Sequence, residues 1–232
     1  YDRFVNQGAV MGDSFGLENV LWFANNKEDA HEEPTIKRSR SHDYVSKEVI
    51  NVRENVGLIE VANFSKHEFK GPDARKFLDH IMAGRLPKPG RISLSPMLSY
   101  RGKLCGDLTV ACLDENEFMV FGSGAAQEMH RRWFESHLDK FNLNYKNRSD
   151  EFHGLSIAGP NSRKVLEKIV RDDVSNEKFK FRDSRRMFVG GVPAIINRIS
   201  FTGELGYEIY VAPHYQLKLY EELMEAGKEF NI

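Results

Sequence analysis

Cysteine is scarce in this sequence: only Cys105 and Cys112 occur among 232 residues. Two thiols cannot build a thiolate zinc site or a disulfide scaffold. They stand an odd number of residues apart within one apparent strand, so alternation points them to opposite faces. No disulfide between them is expected, and a reducing compartment follows, the cytoplasm or the mitochondrial matrix of a eukaryote. No apolar run is long enough to span a bilayer, and no secretory signal is visible. The sequons at Asn63 and Asn147 therefore read as chance. An excess of either charge is missing too, since 33 basic and 34 acidic residues leave a formal net charge of -1. The basic run Lys37-Arg38-Ser39-Arg40 is short and answered by nearby acids, so it reads as a solvated loop and not a nucleic-acid surface. The eight histidines show no metal-ligand spacing, and no metal site is expected. There is no Gly-x-Ser-x-Gly, no Walker sequence and no paired nucleophile and base.

What is present suits one large domain or two small ones. Residues 1–45 read as loop-rich, with an aromatic pair at Trp22-Phe23 and a polar, acidic stretch over 25–42 that reads as a mobile surface loop. A helix follows, capped by Ser46, with Val45, Val49, Val52 and Val56 on one face and Gly57 as its stop. A strand through Leu58, Ile59 and Val61 comes next. The sequence begins at Tyr1 and stops at Ile232 just after a helical pattern, which reads as a piece of something longer.

An internal echo organises the rest. Gly71-Pro72-Asp73-Ala74-Arg75-Lys76-Phe77-Leu78-Asp79-His80-Ile81 matches Gly159-Pro160-Asn161-Ser162-Arg163-Lys164-Val165-Leu166-Glu167-Lys168-Ile169 at six of eleven positions. Each segment follows a strand-like run and has proline at the expected helix start, where its missing N–H is harmless. Helical spacing assigns Ala74, Phe77, Leu78 and Ile81 to the core, and likewise Ser162, Val165, Leu166 and Ile169. In the first copy strand-like runs follow over 91–98, 103–112 and 117–121, then a helix over 125–138. In the second they cover 187–199 and 207–211, then a helix over 215–226. A strand-helix-strand-strand-helix unit used twice predicts an α+β fold with antiparallel sheets.

Two carboxylates stand out. In the run over 103–112, Leu104, Leu108, Val110 and Cys112 share one face and Asp107 lies on the other. Aspartate is depleted in strands, so this one is either solvent-facing or functional. In the run over 198–211, two β-rich segments flank a Gly-x-x-Gly, and Glu208 sits inside the returning strand. A carboxylate there can accept two parallel N–H bonds from an amidine-like edge such as that of a pterin. The plainer alternative is a cross-strand ion pair. The stretch Gly122-Ser123-Gly124-Ala125-Ala126 lacks the third glycine of a dinucleotide fingerprint and reads as a strand-to-helix turn. His130 and His137 read as surface residues of the following helix, and Met129, Trp133 and Leu138 as its core.

These segments, in this order between two Gly-Pro helices, resemble the aminomethyltransferase family, the T-protein of glycine cleavage. Residues 55–61 look like its entry strand, 103–110 like the strand bearing its catalytic aspartate, and 201–208 like its Tyr-Thr-Gly-Glu-x-Gly-aromatic-Glu hairpin. Within that family the chain is most similar to the folate end of dimethylglycine and sarcosine dehydrogenases. Tyr1-Asp2-Arg3-Phe4, Phe15-Gly16-Leu17-Glu18, Pro89-Gly90-Arg91-Ile92 and Gly106-Asp107-Leu108-Thr109-Val110 carry that likeness. It implies a tetrahydrofolate-binding enzyme that takes a one-carbon unit from an amine. Asp107 would orient or proton-couple the folate amine, and Glu208 would bind the pterin edge. Phe64, Leu94, Val120, Gly122 and Phe201 would line the folate. Phe201 replaces a tyrosine, Gly106 replaces a second aspartate, and the family's C-terminal β-barrel region is not in this sequence. FAD would be needed only in an upstream domain, as no flavin fingerprint occurs in these 232 residues. The expected architecture is two interleaved subdomains, residues 1–61 with 148–232 and residues 62–147. The expected partners are folate, an amine donor and a flavin-dependent dehydrogenase domain in cis or in trans, with no nucleic acid and no membrane. Alternatives are methyl transfer from a sulfonium or ether donor, a non-catalytic folate-binding accessory protein, and an α+β interaction domain.

Overall fold

A computed structural model describes residues 1–14 and 16–232; Phe15, part of the opening likeness, lies outside the described residues. The chain divides into two compact units, residues 1–54 and 55–232.

In the first unit, helix α1 (Asp2–Asn6) leads into an antiparallel hairpin of β1 (Ala9–Ser14) and β2 (Leu17–Phe23). Helix α2 (Ser41–Glu54) closes the unit. The hairpin is absent from the loop-rich expectation, and hydrogen bonds tie the acidic stretch to β2 and α2. The Trp22 indole donates to the Glu32 carboxylate, and Tyr44 donates to Asp29 Oδ2 at 2.6 Å. Trp22 and Tyr44 pack with ring centroids 5.0 Å apart. Hydrogen bonds from Tyr44, Asn26 and Arg40 pull the Asp29 carboxyl down to about 2. Helix α2 starts five residues before Ser46, whose hydroxyl bonds the His42 carbonyl at 2.5 Å inside the helix instead of capping it. Val56 is outside that helix and fully buried in the second unit.

The second unit holds two five-stranded antiparallel sheets. Its elements are β3 (Gly57–Glu60), β4 (Ser65–Lys70), α3 (Ala74–Ile81), β5 (Arg91–Leu98), β6 (Leu104–Asp114), β7 (Glu117–Gly122), α4 (Gln127–Glu135), β8 (Asn144–Asn147), β9 (His153–Ala158), α5 (Ser162–Ile169), β10 (Ser184–Val189), β11 (Val192–Asn197), β12 (Gly206–Val211) and α6 (Gln216–Gly227). The sheet orders are β5-β6-β7-β4-β8 and β10-β11-β12-β9-β3. Neither sheet closes into a barrel, and among the described residues no helix is long and apolar enough to cross a membrane.

The echo is a structural repeat. Strands β4 to β7 with α3 and α4 correspond in order and pairing to β9 to β12 with α5 and α6. Gly71 and Gly159 precede the first helix of each copy with φ of 140° and 124°, a region open to glycine. At Gly71 a Cβ would also sit 2.9 Å from the Leu143 Cα. The prolines fall one residue ahead of the N-caps Asp73 and Asn161, not inside the helices. After each helix a lone bridge forms at matching places, Met82 with Met97 and Val170 with Val189. The run over 187–199 is two strands, not one. Gly190 and Gly191, with φ of 56° and 81°, make a two-residue hairpin loop between Val189 and Val192.

Each sheet buries one face under its own helices. Ala74, Phe77, Leu78 and Ile81 pack with Leu108, Val110, Val120 and Phe134. Val165, Leu166, Leu219 and Leu223 pack with Ile157, Ile196 and Ile209. A large apolar side chain so buried contributes roughly 1.5–3 kcal/mol. The other faces meet each other through Ile92, Ala111, Met119, Phe121, Ile195 and Tyr210. Residues 90–92 and 182–184 join the two sheets, with Ile92 N–H bonded to Arg182 O and Ser184 N–H to Gly90 O, each at 2.9 Å. Arg91 and Asp183 form the ion pair between them. The matching bridges make Met97 equivalent to Val189 and hence Arg91 to Asp183, so this bridge joins equivalent residues, as an approximate two-fold axis requires.

Candidate functional site

Alternation along each strand decides which side chains reach the layer between the sheets. On β6, Leu108, Val110 and Cys112 belong to the helix-backed core, so Asp107, Thr109 and Ala111 face the second sheet. Asp107 is exposed and lies across from Pro96. On β12, Tyr207 and Ile209 face the helices, so Glu208 and Tyr210 face the first sheet. Both carboxylates therefore lie on the sheet faces that are turned toward each other, Glu208 half-buried and Asp107 exposed. A continuous set of contacts links their strands. Thr109 pairs with Phe121, Phe121 stacks on Tyr210 at 4.6 Å, and Tyr210 donates to Glu208 Oε2 at 2.8 Å.

Glu208 is the chemically unusual group. Burial pushes its carboxyl above the usual range, opposed by the Tyr210 hydrogen bond. Its neighbours across the sheet are Asn197 and Ser156. No ion pair reaches it among the described residues, so the cross-strand ion-pair alternative does not hold. A half-buried carboxylate without a cation is costly to ionise and is available to a ligand that brings N–H donors.

The other expected residues divide. Leu94 pairs with Thr109 on Asp107's face and is 62% exposed. Phe64 is half-buried in the segment between β3 and β4. Phe201 is 95% exposed in the loop from 198 to 205 between β11 and β12; the hairpin and its returning strand form, while the outgoing strand ends at Asn197 and not at Phe201. Val120 and Gly122 are not brought together with Asp107. Val120 is fully buried in the helix-backed core. A Cβ on Gly122 would meet Leu108 Cδ2 at 2.6 Å and His130 Nδ1 at 3.0 Å, on that same far side. The cause is a bulge between Cys112 and Asp114. The turn pairing of Asp114 with Glu117 would, if continued, set Val120 across from Ala111; the bulge sets it across from Val110. One residue of slip exchanges the faces.

A second bulge, at Met97/Leu98, displaces the start of β6. Leu104 is exposed there instead of sharing the face of Leu108. Cys105 packs against the same core as Cys112, not on the opposite side, and both thiols are free.

Sequence reasoning missed three polar groups. Lys66 is fully buried on β4 across from Phe121, its Nζ donates to Ala62 O at 2.6 Å, and burial pulls it down to about 8. Its one sequence signal is a lysine at an inward-facing strand position. His130 is buried, not a surface residue, with Nε2 3.2 Å from the Cys105 carbonyl. It lies four residues before Phe134, and that pair forms the buried stripe of α4, while Met129 is 47% exposed. His137 lies beyond α4, with its ring 4.7 Å from Trp133. His67 faces His130 in the first copy's core, with Nδ1 2.9 Å from the Tyr145 hydroxyl. Among the described residues no three His, Cys, Asp or Glu side chains are grouped to hold a metal ion.

A concavity of about 220 Å³ lies beside the loop before β12, lined by Phe181, Arg198, Ile199 and Leu205 among others. It includes neither Asp107 nor Glu208. The chemistry of the inter-sheet acids, and not concavity, marks the candidate site.

The GCVT N-terminal domain family matches this chain over residues 1–232. The chain belongs to that family. As a member, it is 35% identical over 225 residues to mitochondrial dimethylglycine dehydrogenase of Mus musculus, a match covering 96% of this chain and 26% of that protein. It is 29% identical over 184 residues to an aminomethyltransferase of Thermoanaerobacter pseudethanolicus, covering 78% of this chain and 50% of that one. The crystal structure of the glycine cleavage system aminomethyltransferase T from Bartonella henselae shares the GCVT fold, with a TM-score of 0.79 and 21% identity over 97% of this chain and 55% of that chain. The GCVT chain thus spans about a quarter of the dehydrogenase and half of the transferase.

Proposed function

We propose that this chain is a tetrahydrofolate-binding module of a one-carbon-transfer enzyme. It accepts a carbon from an amine donor, such as dimethylglycine, sarcosine or an aminomethyl carrier, to give 5,10-methylene-tetrahydrofolate. The observation that carries this reading is Glu208, a half-buried carboxylate with no cation partner among the described residues, on the sheet face turned toward the face that bears Asp107. Family membership and the names of the relatives support it.

The residues present fit a reduced pterin. Glu208 has acceptor capacity beyond the single bond from Tyr210, enough for an adjacent N–H and amino group. The exposed Phe201 and Leu94 and the half-buried Phe64 would cover the ring system. When bound, tetrahydrofolate supplies the nitrogens that take up the carbon. Asp107 would hold or move the proton at its carboxylate while those nitrogens change charge. Val120 and Gly122 would act from beneath, by holding β7 against the helices. Positioning supplies most of the rest of the rate.

The Gly122-Ser123-Gly124 turn between β7 and α4 does not make a dinucleotide-binding unit for FAD, because every strand pair in that sheet is antiparallel. A flavin-dependent dehydrogenase, in the same polypeptide or a separate one, would therefore oxidise the amine. Of the interleaved subdomains 1–61 with 148–232 and 62–147, the sheet memberships support the crossing of β3 into the sheet of β9 to β12, with β4 to β8 in the other sheet.

The test is methylene-tetrahydrofolate formation by the intact protein and its Asp107→Asn variant. Turnover is expected to fall by ~10²–10⁴-fold if the carboxylate is a general base. Unchanged turnover refutes the role of Asp107, and a 5-methyl product would mean that a sulfonium or ether methyl donor is used instead.

A further inference from the structure

The row of side chains that crosses the second sheet at Glu208 holds a donor that the protein itself does not use. Ser184, Asn197, Glu208 and Ser156 are successive cross-strand neighbours on β10, β11, β12 and β9. Directly opposed residues of an antiparallel pair share a face, so the Asn197 and Glu208 side chains lie side by side. Asn197 is fully buried. Its Oδ1 accepts the Ser184 hydroxyl at 2.7 Å. With the oxygen taken by that hydroxyl, the amide has its two N–H donors left over. The Nδ2 is left buried with no acceptor. Folded proteins leave few such donors unsatisfied, and each one calls for an explanation.

The fold does not require this polar pair. The equivalent positions in the first copy are Ala111 and Met119, paired in the same register and packed in the apolar part of the layer. One copy fills the row with apolar atoms, and the other sets an amide donor beside a carboxylate.

Accepting the folate reading above, we propose that Asn197 is a specificity-determining residue, whose Nδ2 donates to O4 of the pterin while Glu208 accepts from N3–H and the 2-amino group. The edge of a 2-amino-4-oxo-pteridine presents two donors and then an acceptor. A carboxylate followed by an amide N–H is its complement. A 4-amino pteridine presents a lone pair at N3 and a donor at position 4, which sets donor against donor at Asn197. Two adjacent side chains thus read three consecutive atoms, and the orphaned Nδ2 gains its partner only on binding.

The experiment titrates the full chain, without oxygen, with tetrahydrofolate and with its 4-amino analogue tetrahydroaminopterin, following binding by calorimetry. The wild-type protein should prefer the 4-oxo ligand. In Asn197→Ala, which installs the residue the first copy carries at the equivalent place, affinity for tetrahydrofolate should fall by about tenfold, with the 4-amino ligand unchanged or tighter. Equal weakening of both ligands would make Asn197 a structural residue and overturn the proposal. So would a wild-type protein that does not distinguish the two ligands, a measurement that needs no variant. If the wild type binds neither ligand, the folate reading itself falls. If it binds tetrahydrofolate, loses it in Glu208→Gln and keeps its selectivity in Asn197→Ala, only the role of Asn197 falls.

Discussion

The double variant His67→Leu/Tyr145→Phe isolates the cost of burying an imidazole in the first copy's core. His67 is fully buried, its Nε2 has no partner, and its ring packs 5.0 Å from Phe134. The equivalent position in the second copy is Leu155, so leucine suits this place in the fold. Tyr145 must change as well, because the hydroxyl of this half-buried residue would otherwise lose the His67 Nδ1. Burial is the main reason that the imidazole is pulled down to about 4; His130 adds to it, and Glu128 opposes it. Above pH 6.5 the ring is neutral in both folded and unfolded chains and contributes no pH dependence. Between 6.5 and about 4 the unfolded chain binds the proton and the folded one does not, so stability falls as the solution is acidified. At about 1.4 kcal/mol per pH unit, that window is worth about 3 kcal/mol, a large share of a typical domain's stability. Below pH 4 the effect levels off. Urea unfolding at pH 7, 5.5 and 4 would read it through the midpoint and slope. The double variant should match or exceed the wild type at pH 7, and its advantage should grow by about 3 kcal/mol on going to pH 4. An advantage that stays constant over that range would refute the argument, because no proton uptake would then be linked to His67.

Two more outcomes follow from the same reasoning. Glu208→Gln should weaken tetrahydrofolate binding by at least about tenfold, yet leave the melting temperature at pH 7 unchanged or higher. Its carboxyl is raised by burial, so ionisation costs the fold stability as pH rises from 4.5 through that raised value; a clear fall in melting temperature at pH 7 would contradict this. Gly122→Ala should destabilise by ~1–3 kcal/mol in urea unfolding, because the new Cβ would meet Leu108 and His130 at 2.6 and 3.0 Å. A neutral result would mean that α4 yields to make room.

Much of the second unit is legible in the sequence because its copies keep their helix-backed faces. The spacing that assigns Phe77, Leu78, Val165 and Leu166 to the core reports helical period, which is local. The two inter-sheet acids were legible for a similar reason, as charges at strand positions. What escaped depends on pairing. The faces of Val120 and Gly122 hang on one bulge near the β6–β7 turn, and no residue type in that turn announces it. The β10–β11 hairpin was missed although Gly190 and Gly191 signal it, because the run around them is apolar on both sides. Asn197 was invisible as a site residue, since its orphaned Nδ2 depends on which neighbours lie across the sheet. His130 is buried because the inner stripe of α4 runs through Phe134, four residues on, and not through Trp133.

The repeat also explains why the proposed site is not symmetric. An approximate two-fold axis brings equivalent faces together, and equivalent aromatic residues meet there as the stacked Phe121 and Tyr210. Two identical copies would present two identical half-sites. A ligand with a single polar edge cannot use both, and a second buried, unpaired carboxylate would cost stability without a partner. The inter-sheet faces have accordingly diverged where the acids lie. Glu208 stands opposite in role to Met119, Asp107 to Pro193, and Lys66 to Gly154, each pair occupying equivalent places in the two sheets. The scaffold needs only the helix-backed faces to be alike. That freedom lets one copy carry Glu208 and the other Asp107, the division of roles proposed above for the two carboxylates.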